Sequence, residues 1–202
     1  GGFVGRHVKR RLQEAGIDVR APIDSAGGRI DITNSASVLS EAIAGAEVVV
    51  NAAGRAHLHA PNPAAFWPAN TTGAWHIAQA AASTPGVRRL VHVSSAAVGA
   101  GGVEPPAAEW QPSTAYGASK AAAEIAVAGA MKGASADLVI VRPAGIGGQD
   151  SPGSWGRIRR LVDAGKLVPV PDNDVRHDVV EVSEVVEFIF AAIAEKVPQG
   201  VH

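Results

Sequence analysis

Tyr116 and Lys120 stand four residues apart in Tyr116-Gly117-Ala118-Ser119-Lys120, the spacing that puts two side chains on one helix face, one turn apart. A phenol ordinarily ionises near pH ~10, and a neighbouring ammonium favours the phenolate. The pair could therefore exchange a proton with a bound hydroxyl or carbonyl near neutral pH. Spacing alone describes a surface Tyr–Lys pair equally well. Ser94-Ser95 shifts the balance, because it closes the apolar run 90–93 and so places a hydroxyl at a strand end ahead of the helix.

Three further segments could serve a dinucleotide. The chain opens Gly1-Gly2-Phe3-Val4-Gly5 and runs into an amphipathic segment. Glycines three apart at a helix start let the backbone approach a pyrophosphate, whose charge the helix N-terminus favours. A glycine turn that only caps a helix fits the same residues. Asn51-Ala52-Ala53-Gly54 follows the apolar run 48–50, and its small side chains would let a ligand lie across a strand end. Asp31-Ile32 is expected at another strand end, where a carboxylate could accept from an adenine amino group; a solvated turn aspartate fits as well.

These residues need a scaffold, and the 202-residue chain supplies enough apolar material for one, with 47% hydrophobic and 18% charged residues. A net charge of −1 gives no electrostatic case for nucleic acid or an anionic membrane. The absence of cysteine excludes disulfides, thiolate metal sites and thiol catalysis. No apolar run approaches a membrane span and no leader pattern is visible, so the expectation is a soluble, cytoplasmic protein.

Short β-branched runs at 48–50, 90–93 and 138–141 alternate with helical periodicity at 4–15, 35–44, 65–82, 115–131 and 183–194. Strands apolar on both faces, separated by helices, predict a doubly wound α/β fold with a parallel sheet. Residues 1–144 are expected to form the core. Residues 145–202 are expected to form a small C-terminal lobe, Gly- and Pro-rich at first, with a helix near 155–164 and a returning segment, 176–195, packed on the core.

In this order the motifs resemble those of the extended short-chain dehydrogenase/reductases, the NAD-dependent epimerase/dehydratase group. Gly2-Phe3-Val4-Gly5 resembles the end of the glycine motif, Asp31-Ile32 the adenine-contacting pair, and Asn51-Ala52-Ala53-Gly54 the motif after the fourth strand. Asn70 matches the active-site asparagine, Ser95 the catalytic hydroxyl residue, and Tyr116 with Lys120 the catalytic pair. Arg142-Pro143-Ala144-Gly145-Ile146-Gly147 resembles the stretch that closes over the nicotinamide, and residues 180–185 a late family segment.

The resemblance implies a Rossmann-like fold whose first strand is absent from this chain, and hydride transfer at a secondary alcohol or ketone carbon. Catalysis falls to Ser95, Tyr116, Lys120 and Asn70. Cofactor contacts fall to Gly2, Phe3, Val4 and Gly5, to Asp31 and Ile32, to Ala52, Ala53 and Gly54, and to Ser94, Tyr116, Lys120, Pro143 and Ile146. Asp24 is the acid expected to hold the adenosine 2′-hydroxyl, which favours NAD, while Arg20 and Arg29 leave NADP open.

The substrate is expected to be a small molecule, foremost a nucleotide sugar, met by Arg55, His57, Ser95, Arg176 and His177. A homodimer is compatible with this reading. Family 4,6-dehydratases carry an acidic pair after the catalytic hydroxyl residue; Ala96-Ala97 stands here, which disfavours dehydration. Epimerase is preferred, with a carbonyl or sugar reductase as the alternative and a non-catalytic dinucleotide-binding regulator or an inactive truncated product as readings of another class. His57 and His59 lack a third ligand, so no metal is expected. The tryptophans read as packing residues, and Arg157, Arg159 and Arg160 as a solvated face.

Overall fold

The computed structural model describes residues 2–22, 28, 30–55, 62–99, 112–166 and 178–202. Four strands form one parallel sheet: β1 (Val48–Asn51), β2 (Arg89–Val93), β3 (Asp137–Val141) and a two-residue β6 (Gly200–Val201), in the order β1-β2-β3-β6. β2 and β3 run in register from Arg89 opposite Asp137 to Val93 opposite Val141.

Helices cover both faces of this sheet, which explains why β2 is buried along its whole length. On one face, Val91, Val93, Val139 and Val141 pack with Val8 and Leu12 of α1 (Phe3–Glu14) and with Val185, Val186 and Ile189 of α6 (Val182–Ile193). On the other, Val49, Leu90 and Leu138 meet α3 (Gly73–Ser83) and α4 (Ala115–Met131). The alanines at 74, 78, 81 and 123 are buried there and bring the helices close. Each fully buried valine, such as Val91 or Val139, contributes roughly 1.5–3 kcal/mol.

The returning segment is integral to the main sheet. α6 lies in its core, and β6 pairs with β3 through Val139–Gly200 and Ile140–Val201. Arg89 fixes this return. Its guanidinium is buried, donates to the Ala192 and Val197 carbonyls at 2.8 and 3.0 Å, and pairs with Asp137 at 2.9 Å. A second, two-stranded parallel sheet joins β4 (Gly145–Gly147) to β5 (Val179–Glu181), with α5 (Gly153–Asp163) between them in sequence.

The N-terminal third differs from expectation. Residues 19–22 and 30–32 form no strand, and Asp31 stands in a turn. The Asp31 carboxylate accepts from the Thr33 amide at 2.9 Å and the Thr33 hydroxyl at 2.8 Å, a self-contained turn that needs no sheet. These bonds hold its carboxyl below the usual range. α2 (Ala36–Ala42) follows directly. Among the described residues β1 is the sheet's outer strand, and a cleft of about 850 Å³ runs along its free edge between α1 and α2.

Candidate active site

Ser95 follows β2 at the carboxyl end of the sheet, where open parallel sheets bind their ligands. The ladder continues past the strands: Ser94 N–H donates to Val141 O at 2.7 Å and Ala96 N–H to Pro143 O at 2.9 Å. These bonds set Ser95 beside the Arg142-Pro143 turn. Its hydroxyl accepts from the Ala97 amide at 3.2 Å, capping a short 3-10 turn over Ala96–Val98.

α4 carries the other two groups. Its start is fixed by Thr114, whose hydroxyl accepts from Gly117 N–H at 3.0 Å. Gly117 is needed for proximity: a Cβ there would stand 2.2 Å from the Ala97 carbonyl oxygen. Helix and Ser95 turn thus touch through backbone, and the Ser95 and Tyr116 side chains are hydrogen-bonded. The Tyr116 ring also meets Phe66 edge to face, with centroids 5.8 Å apart.

Burial raises the Tyr116 phenol above its ordinary value, and the Ser95 bond opposes that rise. In the chain by itself the phenol therefore keeps its proton at neutral pH, because loss of water outweighs the Ser95 bond. Lys120 is 4% exposed and donates to Val93 O at 2.7 Å. Burial lowers it from 10.5 to about 8, with the Glu124 carboxylate pulling the other way.

Asn70 sits in a π-helical turn, Pro68–Thr72, just ahead of α3. Such a bulge re-aims side chains, and here the buried Asn70 amide reaches in two directions. Its oxygen accepts from Arg55 N–H at 2.6 Å; its nitrogen donates to Arg55 O at 3.2 Å and Ser119 Oγ at 3.0 Å. Ser119 in turn donates to Tyr116 O at 2.7 Å. Asn70 thus ties the segment after β1 to the helix bearing Tyr116.

The cofactor candidates gather around the cleft beside β1. Gly2, Gly5, Ile32, Ala52 and Ala53 line it. Gly5 faces Ala52 across it, with 3.8 Å between a Cβ at Gly5 and that of Ala52. Phe3 and Val4 begin α1 behind them and pack on the core. Gly54 turns with φ +157°, close under the Asn70 carbonyl. Asn51 shapes this turn, accepting from Ala53 N–H at 3.2 Å. Ile146 lies in β4, opposite Val180. Ser94 is buried and donates its hydroxyl to Glu124, so only its backbone is free of that pairing. Arg55 is exposed. Asp24, His57, His59, Arg176 and His177 lie outside the described residues.

Several residues at this site escaped the sequence reading. Glu124 is 2% exposed and forms a bidentate ion pair with Arg142. Its place one turn after Lys120 was a visible signal; its burial was not. His92, between Val91 and Val93, is fully buried and accepts at Nδ1 from the Asn51 amide at 3.0 Å, while Nε2 has no partner among the described residues. Burial, with the Lys120 charge, lowers it to about 3, so it is neutral. A polar residue inside an apolar strand was its signal.

The doubly covered parallel sheet makes this a Rossmann-like α/β protein. The sequence profile described as the NAD dependent epimerase/dehydratase family matches residues 1–201, and the chain belongs to that family. No curated protein matches it in sequence. Among solved structures, MoeE5 in complex with UDP-glucuronic acid and NAD is 24% identical with a TM-score of 0.79, over 99% of this chain and 71% of that one. The dTDP-glucose 4,6-dehydratase DesIV of Streptomyces venezuelae, a double mutant with NAD, is 20% identical with a TM-score of 0.78, covering 100% and 72%. A Bacillus cereus UDP-glucuronic acid 4-epimerase mutant with NAD is 18% identical with a TM-score of 0.75, covering 96% and 70%. At these identities the likeness establishes the fold.

Proposed function

We propose that the protein is an NAD-dependent epimerase acting on a nucleotide-linked sugar, with Tyr116 as the proton-transfer group. The observation that carries this reading is the Ser95–Tyr116 hydrogen bond, one helical turn from the buried Lys120.

NAD, when bound, supplies the acceptor and donor of hydride at a carbinol carbon. Gly2 and Gly5 at the start of α1 would lie against its pyrophosphate, and the space beside Gly2, where a Cβ would meet nothing within 4 Å, leaves room for backbone contact. Ala52, Ala53 and Gly54 would border its ribose, and Lys120 would hold the nicotinamide ribose. Pro143 and Ile146 would border the nicotinamide, and Asp24 would favour NAD over NADP. Residues 145–166 would contribute to the substrate lobe, and Arg55, His57, Arg176 and His177 are the proposed substrate contacts.

In the reaction Ser95 would hold the substrate oxygen while Tyr116 takes its proton and later returns it. A phenol raised by burial keeps its proton at neutral pH and becomes a strong base once that proton leaves, a step that the positive charge of Lys120 would favour. Ala96 and Ala97 offer no carboxyl beside Ser95, so removal of a second proton from a neighbouring carbon has no agent there. That favours epimerisation over dehydration. Similar structures holding UDP-sugars support the substrate class.

The test uses purified protein with NAD and either UDP-glucose or UDP-glucuronic acid, followed by proton NMR of the sugar. Tyr116→Phe is expected to lose at least about 100-fold in turnover, while NAD still raises the melting temperature. Unchanged turnover overturns the reading. Net consumption of NADH with a carbonyl substrate replaces epimerase by reductase.

A further inference from the structure

Glu124 is a buried carboxylate that neither the proton transfer nor the cofactor contacts above employ. It accepts from Arg142 Nε at 3.0 and 3.1 Å and from Arg142 Nη2 at 2.6 Å. An ion pair of this kind satisfies a buried charge, yet Glu124 makes a further bond, accepting from the Ser94 hydroxyl. One turn earlier on the same helix, Lys120 donates to Val93 O at 2.7 Å. Two successive strand-end residues, Val93 and Ser94, are thus fastened to one face of α4, immediately before Ser95. Arg142 joins the same carboxylate to the turn whose Pro143 carbonyl holds Ala96.

We propose that Glu124 is a positioning residue that acts through Ser94, holding the Ser95 hydroxyl within hydrogen-bond reach of Tyr116. This rests on the reading of Ser95 and Tyr116 as the proton-handling pair. A carboxylate serving only to neutralise Arg142 would have no need of Ser94, and Ser94 could be replaced without effect on Tyr116.

Tyr116 is the chain's only tyrosine, so protein labelled with 13C at tyrosine Cζ gives one signal, and no substrate is needed. That signal reports the phenol's hydrogen bonding at neutral pH and its ionisation as pH is raised, with circular dichroism recorded at each point to mark folded protein. Ser94→Ala and Glu124→Asp both break the Ser94–Glu124 link. Both leave in place the charged groups Lys120 and position 124 on α4 and Arg142 after β3, and the neutral His92 on β2.

A hydrogen bond to a phenolate favours it, so each variant should move the Tyr116 titration upward by about half a pH unit or more. In a Ser95→Ala background the same changes should add nothing. A wild-type titration in Ser94→Ala overturns the proposal whether or not Glu124→Asp folds, and so does a rise that persists without Ser95. Turnover of Tyr116→Phe is a separate measurement, so the functional reading and this proposal can fail independently.

Discussion

Gly117 lies so close to Ala97 that a Cβ at position 117 would stand 2.2 Å from the Ala97 carbonyl oxygen and 3.1 Å from its carbon. The obstacle is backbone on one side and a helix on the other, so neither yields by a rotamer change. This contact sets how near the Ser95 turn comes to Tyr116. Gly117→Ala should cost about 1–3 kcal/mol of stability through overpacking. The larger effect should be on chemistry: urea unfolding should show a folded variant, while sugar turnover falls well beyond what its folded fraction explains.

Lys120 carries a pH signature. The unfolded chain keeps this proton up to about 10.5, whereas the folded chain releases it near 8. Unfolded protein therefore binds more protons across that window, and stability rises as pH climbs from about 8 to 10.5. Lys120→Met should flatten the rise in melting temperature over this range. NAD affinity should move oppositely and weaken above pH about 8, as the ammonium proposed to hold the ribose is lost. Isothermal titration calorimetry at several pH values checks this, and Lys120→Met should remove the dependence.

His92 acts at the acid end. It is held neutral down to about 3, against 6.5 in the unfolded chain. Stability is therefore fully present above pH 6.5 and is lost as pH falls toward 3, by up to about 1.4 kcal/mol per pH unit from this group. His92→Gln should give a shallower loss in urea melts between neutral pH and mild acid. An unchanged slope would mean that the ring is not buried neutral against Asn51.

Asn70 joins two segments far apart in sequence. Asn70→Ala removes its bonds to the Arg55 backbone and to Ser119 and should cost about 1–3 kcal/mol. Hydrogen exchange gives the local test. The Arg55 amide, which loses its 2.6 Å acceptor, should exchange much faster, while amides of β2 and β3 should quicken only in proportion to the loss of global stability. Equal acceleration everywhere would show that Asn70 supports the fold without ordering this segment.

The scaffold was legible where burial repeats. The runs 48–50, 90–93 and 138–141 became β1, β2 and β3 within a residue, because strands covered on both faces must be apolar throughout. The helix expected over 65–82 is broken into a 3-10 turn, a π-helical turn and α3, since Pro68 cannot continue a helix from within and Asn70 needs the bulge to point inward. β4, β5 and β6 are two or three residues long, too short for any periodicity. The Asp31 strand end was misplaced because Thr33 satisfies its carboxylate locally.

At the site, the types and order of Ser95, Tyr116, Lys120 and Asn70 were written in the sequence, since proton handling needs those groups at fixed helical and strand-end positions. Tertiary structure decided their state. Whether a phenol beside a lysine ionises depends on how much water each loses, and burial here raises Tyr116 and lowers Lys120. Neither burial nor the fastening of Glu124 to Ser94 and Arg142 can be read from spacing. Each depends on residues from β2, α4 and the end of β3, which are distant in sequence and meet only once the sheet has formed.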